Sequence, residues 1–392
     1  MSIDQAWLAK AEALGSDLGQ RRAGCEAAGR IPQETVDDFH DSGLWRILQP
    51  KRFGGGEVHP NTFLACQMAI AKHCPSTAWV FGVVTVHAWQ LAIFDEAAQG
   101  EVWGDNPAAL ISSSYAPTGK VKRLEGGFEL SGRWNFSSGS ELCDWVFVGG
   151  FAPPQEGAPK GPPDMRTFLL PRSDYTIEQN WEVAGLRGTG SHDIVVSSAF
   201  VPEHRSHKMA DGFRLKSPGN AGNPAPLYAI PFGLLFTRSV STTAIGLLEG
   251  ALDAYLSVAR AKVSASDQTR VVEDPQSQQV CAEAKAELDA IKLVCFRSFD
   301  ELMACAEAGE KPSIERRVQF RYESALAVQK SMQQIDKLLS QSGGLAIFSD
   351  APMQPFFQSV HAARAHYANN PAKPAQNLGR VLLGLGTKDF FI

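Results

Sequence analysis

Glu125-Gly126-Gly127-Phe128-Glu129-Leu130-Ser131-Gly132-Arg133-Trp134-Asn135-Phe136-Ser137-Ser138-Gly139 is the stretch on which the fold turns. Val121 to Arg123 runs into Glu125-Gly126-Gly127, a glycine turn that predicts a β-hairpin. Phe128, Leu130, Trp134 and Phe136 then alternate with Glu129, Ser131, Arg133 and Asn135. Side chains on a strand point to opposite faces in turn, so this period of two predicts one buried and one polar face. The strand ends in Ser137-Ser138-Gly139-Ser140, a hydroxyl-rich turn that leads on to Trp145.

Further strands are expected at 144–151, 165–171 and 193–201, separated by Pro-rich turns such as 152–164. That spacing suits a small antiparallel barrel or sandwich. Helical periodicity holds on either side. Trp7, Leu8, Ala11 and Leu14 share one face, as do Phe63, Leu64, Met68 and Ile70, and Ser76 to Phe94 is apolar nearly all round. Beyond Phe236, long periodic runs at 277–309 and 313–339 and a shorter one at 354–368 predict a helical bundle. The expected fold class is α+β, mainly α. An N-terminal α-helical domain spans 1–105, a middle β domain 106–205, a linking loop rich in Pro, Gly and Asn 206–235, and a C-terminal helical bundle 236–392.

Bulk properties narrow the function classes. The chain of 392 residues, 44% hydrophobic and 20% charged, is long enough for several packed layers. A formal charge of −5, from 37 basic and 42 acidic residues, argues against nucleic acid as a partner. No apolar run approaches the roughly 20 residues that span a bilayer, and the first residues form an amphipathic stretch containing acids, so no membrane partner is expected. Seven cysteines without a CxxC pair point to reduced thiols and a cytoplasmic location.

Nine histidines are dispersed, and His361 and His366 are five apart, off the helical ligand spacing, so no metal site is expected. Phe53-Gly54-Gly55-Gly56 is not a dinucleotide fingerprint, and no phosphate-binding P-loop or nucleophile elbow occurs. Two hydroxyl clusters remain, Ser112-Ser113-Ser114-Tyr115 and Ser137-Ser138-Gly139-Ser140, each at a strand end. They suit either a ring-shaped cofactor or ordinary turn chemistry. His87 lies in an apolar run, where a core role competes with a catalytic one, and His366 near the C-terminus reads equally as a capping residue.

The run from Glu125 to Gly139 resembles the glycine-turn strand pair of the acyl-CoA dehydrogenase superfamily. Gly185-Leu186-Arg187-Gly188-Thr189-Gly190-Ser191, Phe200-Val201-Pro202, and Arg238 leading into Ala244, Gly246 and Ala251 fit as well. Cys74-Pro75-Ser76-Thr77-Ala78-Trp79-Val80, Ile111 to Pro117 and His361-Ala362-Ala363 are most similar to one subgroup. These are the oxygenase components of two-component flavin-dependent monooxygenases that hydroxylate 4-hydroxyphenylacetate and phenolic steroids. The resemblance covers nearly the whole chain.

It implies an acyl-CoA dehydrogenase-like fold with a middle β-barrel and a C-terminal four-helix bundle. It also implies reduced FMN or FAD, delivered by diffusion from a separate NAD(P)H:flavin reductase, with O2 as co-substrate. A C4a-hydroperoxyflavin would then hydroxylate a small aromatic, phenol- or indole-like substrate. His366 and Ser138 would be catalytic, and His87 and Ser113 would bind substrate. Trp79, Trp134, Phe136, Ser137, Ser138 and Arg238 would hold the flavin. A homotetramer is implied by the long helices. Alternatives are an acyl-CoA dehydrogenase with bound FAD, or a relative that oxygenates nitrogen or sulfur. The dehydrogenase needs a C-terminal glutamate, and none follows Gly343-Gly344. The oxygenases commonly carry Arg-x-x-Arg-Asp before His-Ala-Ala, where this chain has Pro355, Gln358 and Ser359.

Overall fold

The computed structural model describes residues 2–154, 161–263 and 268–392; part of the Pro-rich turn expected at 152–164 therefore lies outside the described residues. The N-terminal part contains α1 (Gln5–Ala13), α2 (Gly15–Ala28), α3 (Gln33–Ser42), α4 (Pro60–Ala71), α5 (Pro75–Leu91) and α6 (Glu96–Trp103). Proline opens α5 at a position where its missing N–H costs nothing, and nearly every residue after it is buried. An apolar helix of this kind has no solvent face to offer, so it becomes the central rod. It packs on α4, on the first strand, and on the helix that opens the C-terminal part, α8 (Phe232–Ala261).

The middle region forms β1 (Ile111–Leu124), β2 (Gly127–Ser137), β3 (Trp145–Ala152), β4 (Asp164–Pro171), β5 (Thr176–Glu178), β6 (His192–Pro202) and β7 (Ser206–Lys208). They make one seven-stranded sheet in the order β5-β6-β2-β1-β3-β4-β7. The β1–β2 hairpin turns at Glu125-Gly126, where Gly126 takes φ +75°, a conformation that suits glycine. The sheet is not wholly antiparallel as expected, because β1 and β3 run parallel. The reason lies in the first serine cluster: Ile111 to Ser114 is not a separate short strand but the beginning of β1, lying beside β3. Phe128, Leu130, Trp134, Val148, Phe168 and Ile194 fill the sheet's own core.

The segment expected as a linking loop, 206–235, is more ordered than its composition indicates. It contributes β7, which pairs with β4, then α7 (Met209–Arg214), and it ends inside α8 (Phe232–Ala261). The rest is helical: α9 (Pro275–Glu307), α10 (Ile314–Gln341), α11 (Gln354–Ala365) and α12 (Ala372–Leu382). α8, α9 and α10 with α11 give the expected bundle, and α12 packs on α10. His366 stands just beyond α11, at the start of a short turn over Tyr367–Asn369, and α12 follows it. No described helix is long and apolar enough to cross a membrane.

Candidate active site

Trp79 on α5 marks where the helical and β parts meet. Its indole N–H donates to Ser138 Oγ at 3.0 Å. Ser138 is buried at the end of β2, its hydroxyl 2.7 Å from Ser191, and Ser191 lies 2.7 Å from Thr189. Thr189 closes the chain by donating to the Leu186 carbonyl at 2.8 Å. That last bond sets the direction of the others. Thr189 must accept from Ser191, and Ser191 from Ser138. The Ser138 hydrogen is thus committed inward, and one lone pair on its oxygen is left over.

The neighbouring Gly139 permits this approach. It has φ +69°, and a Cβ there would lie 2.8 Å from Val80 Cγ1. The buried Ser137 and Ser140 hydroxyls have no hydrogen-bond partner among the described residues. Phe136 is 68% exposed and turns its ring edge-on to Trp181 at 5.9 Å.

His366 is the second corner. Its ring stands edge-on to Trp79, 5.7 Å between centroids, and 6.3 Å from Phe236. Nδ1 accepts the Ala368 N–H at 3.2 Å. Arg321 donates to the Ala368 carbonyl at 2.8 Å, and Asn369 donates to that of Ala363 at 2.8 Å, so the turn is pinned on both sides. Burial first, and then the Arg321 charge, hold the His366 pKa down to about 4.

His87 is the third corner, on the same helix as Trp79 and fully buried. Its Nδ1 lies 2.6 Å from the Ile111 carbonyl, and its Nε2 has no partner among the described residues. Burial lowers its pKa to about 4. The Tyr115 ring packs edge-on to both His87, at 6.0 Å, and Phe236, at 5.0 Å, which links the two histidines through aromatic contacts. Ser113 lies half-buried on β1 and interacts with the Tyr115 hydroxyl, which also donates to Gln90. Beyond Tyr115 is a cavity of about 30 Å³ bordered by Gln90, Thr167, His207, Phe232 and Phe391, room for one water.

Ser138, Trp79, His366, His87 and Ser113 are therefore brought to one region. Two expected flavin contacts are not. Trp134 is fully buried in the core of the sheet and donates to the Gly149 carbonyl at 2.8 Å, so it belongs to the β interior and not to a cofactor wall. Arg238 is buried inside α8, and among the described residues neither terminal guanidinium nitrogen has a partner. Sequence reasoning missed Phe236, Gln90 and Arg321 as contributors. Their signal was weak: each sits on a long helix within an ordinary periodic pattern. Ser191 and Thr189 were visible only within the resemblance at Gly185 to Ser191.

A helical domain, a mid-chain sheet and a helical bundle meeting at a serine–tryptophan–histidine corner define the acyl-CoA dehydrogenase class of fold. A family model described as "Acyl-CoA dehydrogenase, C-terminal domain" matches residues 239–371. The chain is 36% identical to the flavin-dependent monooxygenase oxygenase subunit HsaA of Mycobacterium tuberculosis (strain ATCC 25618 / H37Rv), over 99% of this chain and 98% of that one. It is 31% identical to the oxygenase component of an FADH2-dependent resorcinol hydroxylase of Rhizobium sp. (strain MTP-10005), over 93% and 90%. The crystal structure of the M. tuberculosis HsaA monooxygenase superposes with a TM-score of 0.93, at 36% identity and 99% coverage of both chains. The chain belongs to the family of oxygenase subunits of flavin-dependent monooxygenases. The dehydrogenase alternative is not favoured: these relatives are oxygenases, and the C-terminal segment carries no glutamate to act as its base.

Proposed function

We propose that this chain uses reduced flavin from a separate reductase, together with O2, to hydroxylate a small aromatic substrate bearing a hydroxyl group. The observation that carries the reading is the Ser138 chain. Its inward-directed hydroxyl leaves one lone pair free to accept from an N–H, and reduced flavin carries such a group at N5 where oxidised flavin carries none. The orphaned Ser137 and Ser140 hydroxyls and the exposed Phe136 ring beside the half-buried Trp181 fit a flat polar ring. The flavin would be held by Ser138, Ser137, Trp79 and Phe136, and it supplies the oxygen-activating chemistry.

The protein's own residues position and shield. Trp79, Tyr115 and Phe236 line the region with aromatic surface and keep water out. His87 and Ser113 hold the substrate hydroxyl. His366, neutral at physiological pH, faces the same space from the opposite helical part. We further infer a homotetramer and a cytoplasmic location. Leu345, Ile347, Phe348, Leu382 and Leu383 are all more than half exposed, apolar surface of the kind that copies of a chain cover for one another. All seven cysteines are free thiols, as a reducing compartment requires.

The test combines the purified protein with a flavin reductase, NADH and a panel of phenols. Hydroxylated product is expected, in amounts approaching the O2 consumed. Release of hydrogen peroxide alone with every phenol overturns the reading. His366→Ala should lower product formation by about a hundredfold or more.

A further inference from the structure

The two histidines make opposite hydrogen bonds through the same ring atom. His366 Nδ1 lies 3.2 Å from the Ala368 backbone nitrogen. A backbone N–H can only donate, so Nδ1 is the bare, accepting nitrogen, and the neutral ring carries its proton on Nε2. His87 Nδ1 lies 2.6 Å from the Ile111 carbonyl oxygen. A carbonyl can only accept, so here Nδ1 carries the proton and Nε2 is bare. That bare nitrogen is buried without a partner among the described residues. The ring nitrogen a histidine shows to its surroundings is set by the bond its other nitrogen makes.

We propose that the site works with two histidines locked in opposite neutral tautomers: His87 Nε2 accepts the hydrogen bond of the substrate hydroxyl, and His366 Nε2–H acts as a donor. Arg321 is the positioning residue that holds the second in place. This rests on the oxygenase reading for the substrate, but the tautomers themselves do not.

His366 is then not a base. For its Nε2 to take a proton from substrate, a proton already there must leave or the Ala368 bond must break. A neutral imidazole whose cationic form is suppressed serves instead by polarising an oxygen through its N–H. The surroundings are consistent with that role. From α10 comes the Arg321 cation, with the Arg238 cation of α8 beyond it; from the C-terminal segment comes Asp389, whose carboxylate is 4.0 Å from Arg321. Tyr367 belongs to the same turn, and the ring that α5 sets against His366 is the uncharged Trp79. Among the described residues, the rings packed on His87 are the titratable Tyr115 of β1 and the uncharged Phe147 of β3. Arg321 acts twice, clamping the Ala368 carbonyl and placing a positive charge near the ring.

Nitrogen NMR of flavin-free protein labelled with 15N-histidine tests this directly. The relevant signals are assigned by their loss in His366→Gln and in His87→Gln. The expected result is Nε2 protonated and Nδ1 bare in His366, the reverse in His87, and neither ring cationic down to about pH 5. Arg321→Gln should raise the titration point of His366 by about one pH unit, and Arg321→Lys should restore it. The same tautomer in both rings, or a cationic His366 near pH 7, overturns the proposal; the wild-type spectra alone decide this if the Arg321→Gln protein fails to fold.

Turnover supplies the second arm. A glutamine at 366 donates but does not titrate, so His366→Gln should keep at least tenfold more hydroxylation than His366→Ala. Equal loss in both means that proton transfer is required and the donor role is wrong. The spectra need no flavin. A wild-type protein with opposed tautomers that hydroxylates nothing therefore counts against the oxygenase reading and not against this one.

Discussion

Ser138 has no spare hydrogen. Its proton is bound into the run through Ser191 and Thr189 to the Leu186 carbonyl, and it already accepts from Trp79. Ser138→Ala would strand the Trp79 indole N–H and leave the buried Ser191 oxygen without the hydrogen it accepts. A buried polar group without a partner costs about 1–3 kcal/mol, so chemical denaturation should show a loss of that size. The same variant loses the acceptor assigned to flavin N5, and peroxide released per O2 consumed should rise while product falls. An unchanged ratio of product to peroxide would remove Ser138 from the flavin contacts and leave it a structural serine. Ser191→Ala separates the two effects, because it shortens the chain but keeps the Ser138 oxygen.

At the scale of elements, β2 shows what the sequence discloses and where it stops. The alternation of Phe128, Leu130 and Trp134 is real, and all three are buried. The reading that placed Phe136 with them fails for a local reason. β2 shifts register against β6 between Leu130 and Gly132 and again between Trp134 and Ser137, and Phe136 takes φ +69°. A bulge of this kind re-aims the side chains that follow it, so Phe136 swings outward while Trp134 stays in the sheet core. Alternation cannot reveal a bulge that lies within it. Nor can spacing show that Trp79 meets Ser138 across 59 residues, because α5 is apolar on every side and has no stripe to orient it. The three-part order of helices, strands and helices was legible because each part has a long, clean period. The site was legible only at its strand ends and through the resemblance. Trp134 itself is held by a gap in β1: a Cβ at Gly119 would lie 2.1 Å from its ring. Gly119→Ala should destabilise the protein by about 2 kcal/mol, since a packed ring has nowhere to retreat. The folded fraction should keep its turnover, because Gly119 packs on Trp134 and contacts neither histidine; a stability equal to wild type would mean that β1 and β2 slide more freely than this packing allows.

The whole molecule carries a set of buried neutral histidines that ties its stability to pH. His87 and His207 are buried, and burial lowers each pKa to about 4; the positive Arg166 adds to the effect at His207. In the unfolded chain both return to about 6.5. Between those values the unfolded state binds protons that the folded state refuses, so stability rises with pH in that window and falls as pH drops through it. Above about 6.5 both states are neutral at these positions, and the groups add no slope. Each buried histidine contributes up to roughly 3 kcal/mol of lost stability on passing from pH 7 to pH 4. His207 is the position at which to check the size. It stacks on Phe94 at 5.3 Å and its Nε2 meets Ser217 Oγ at 2.9 Å, and it stands apart from His366 and Ser138. His207→Gln keeps a hydrogen-bonding group toward Ser217 but cannot titrate. Urea unfolding at a series of pH values between 7 and 4.5 should therefore show a shallower decline for this variant than for wild type. Parallel curves would mean that His207 titrates normally in the folded protein, and that the acid sensitivity arises elsewhere.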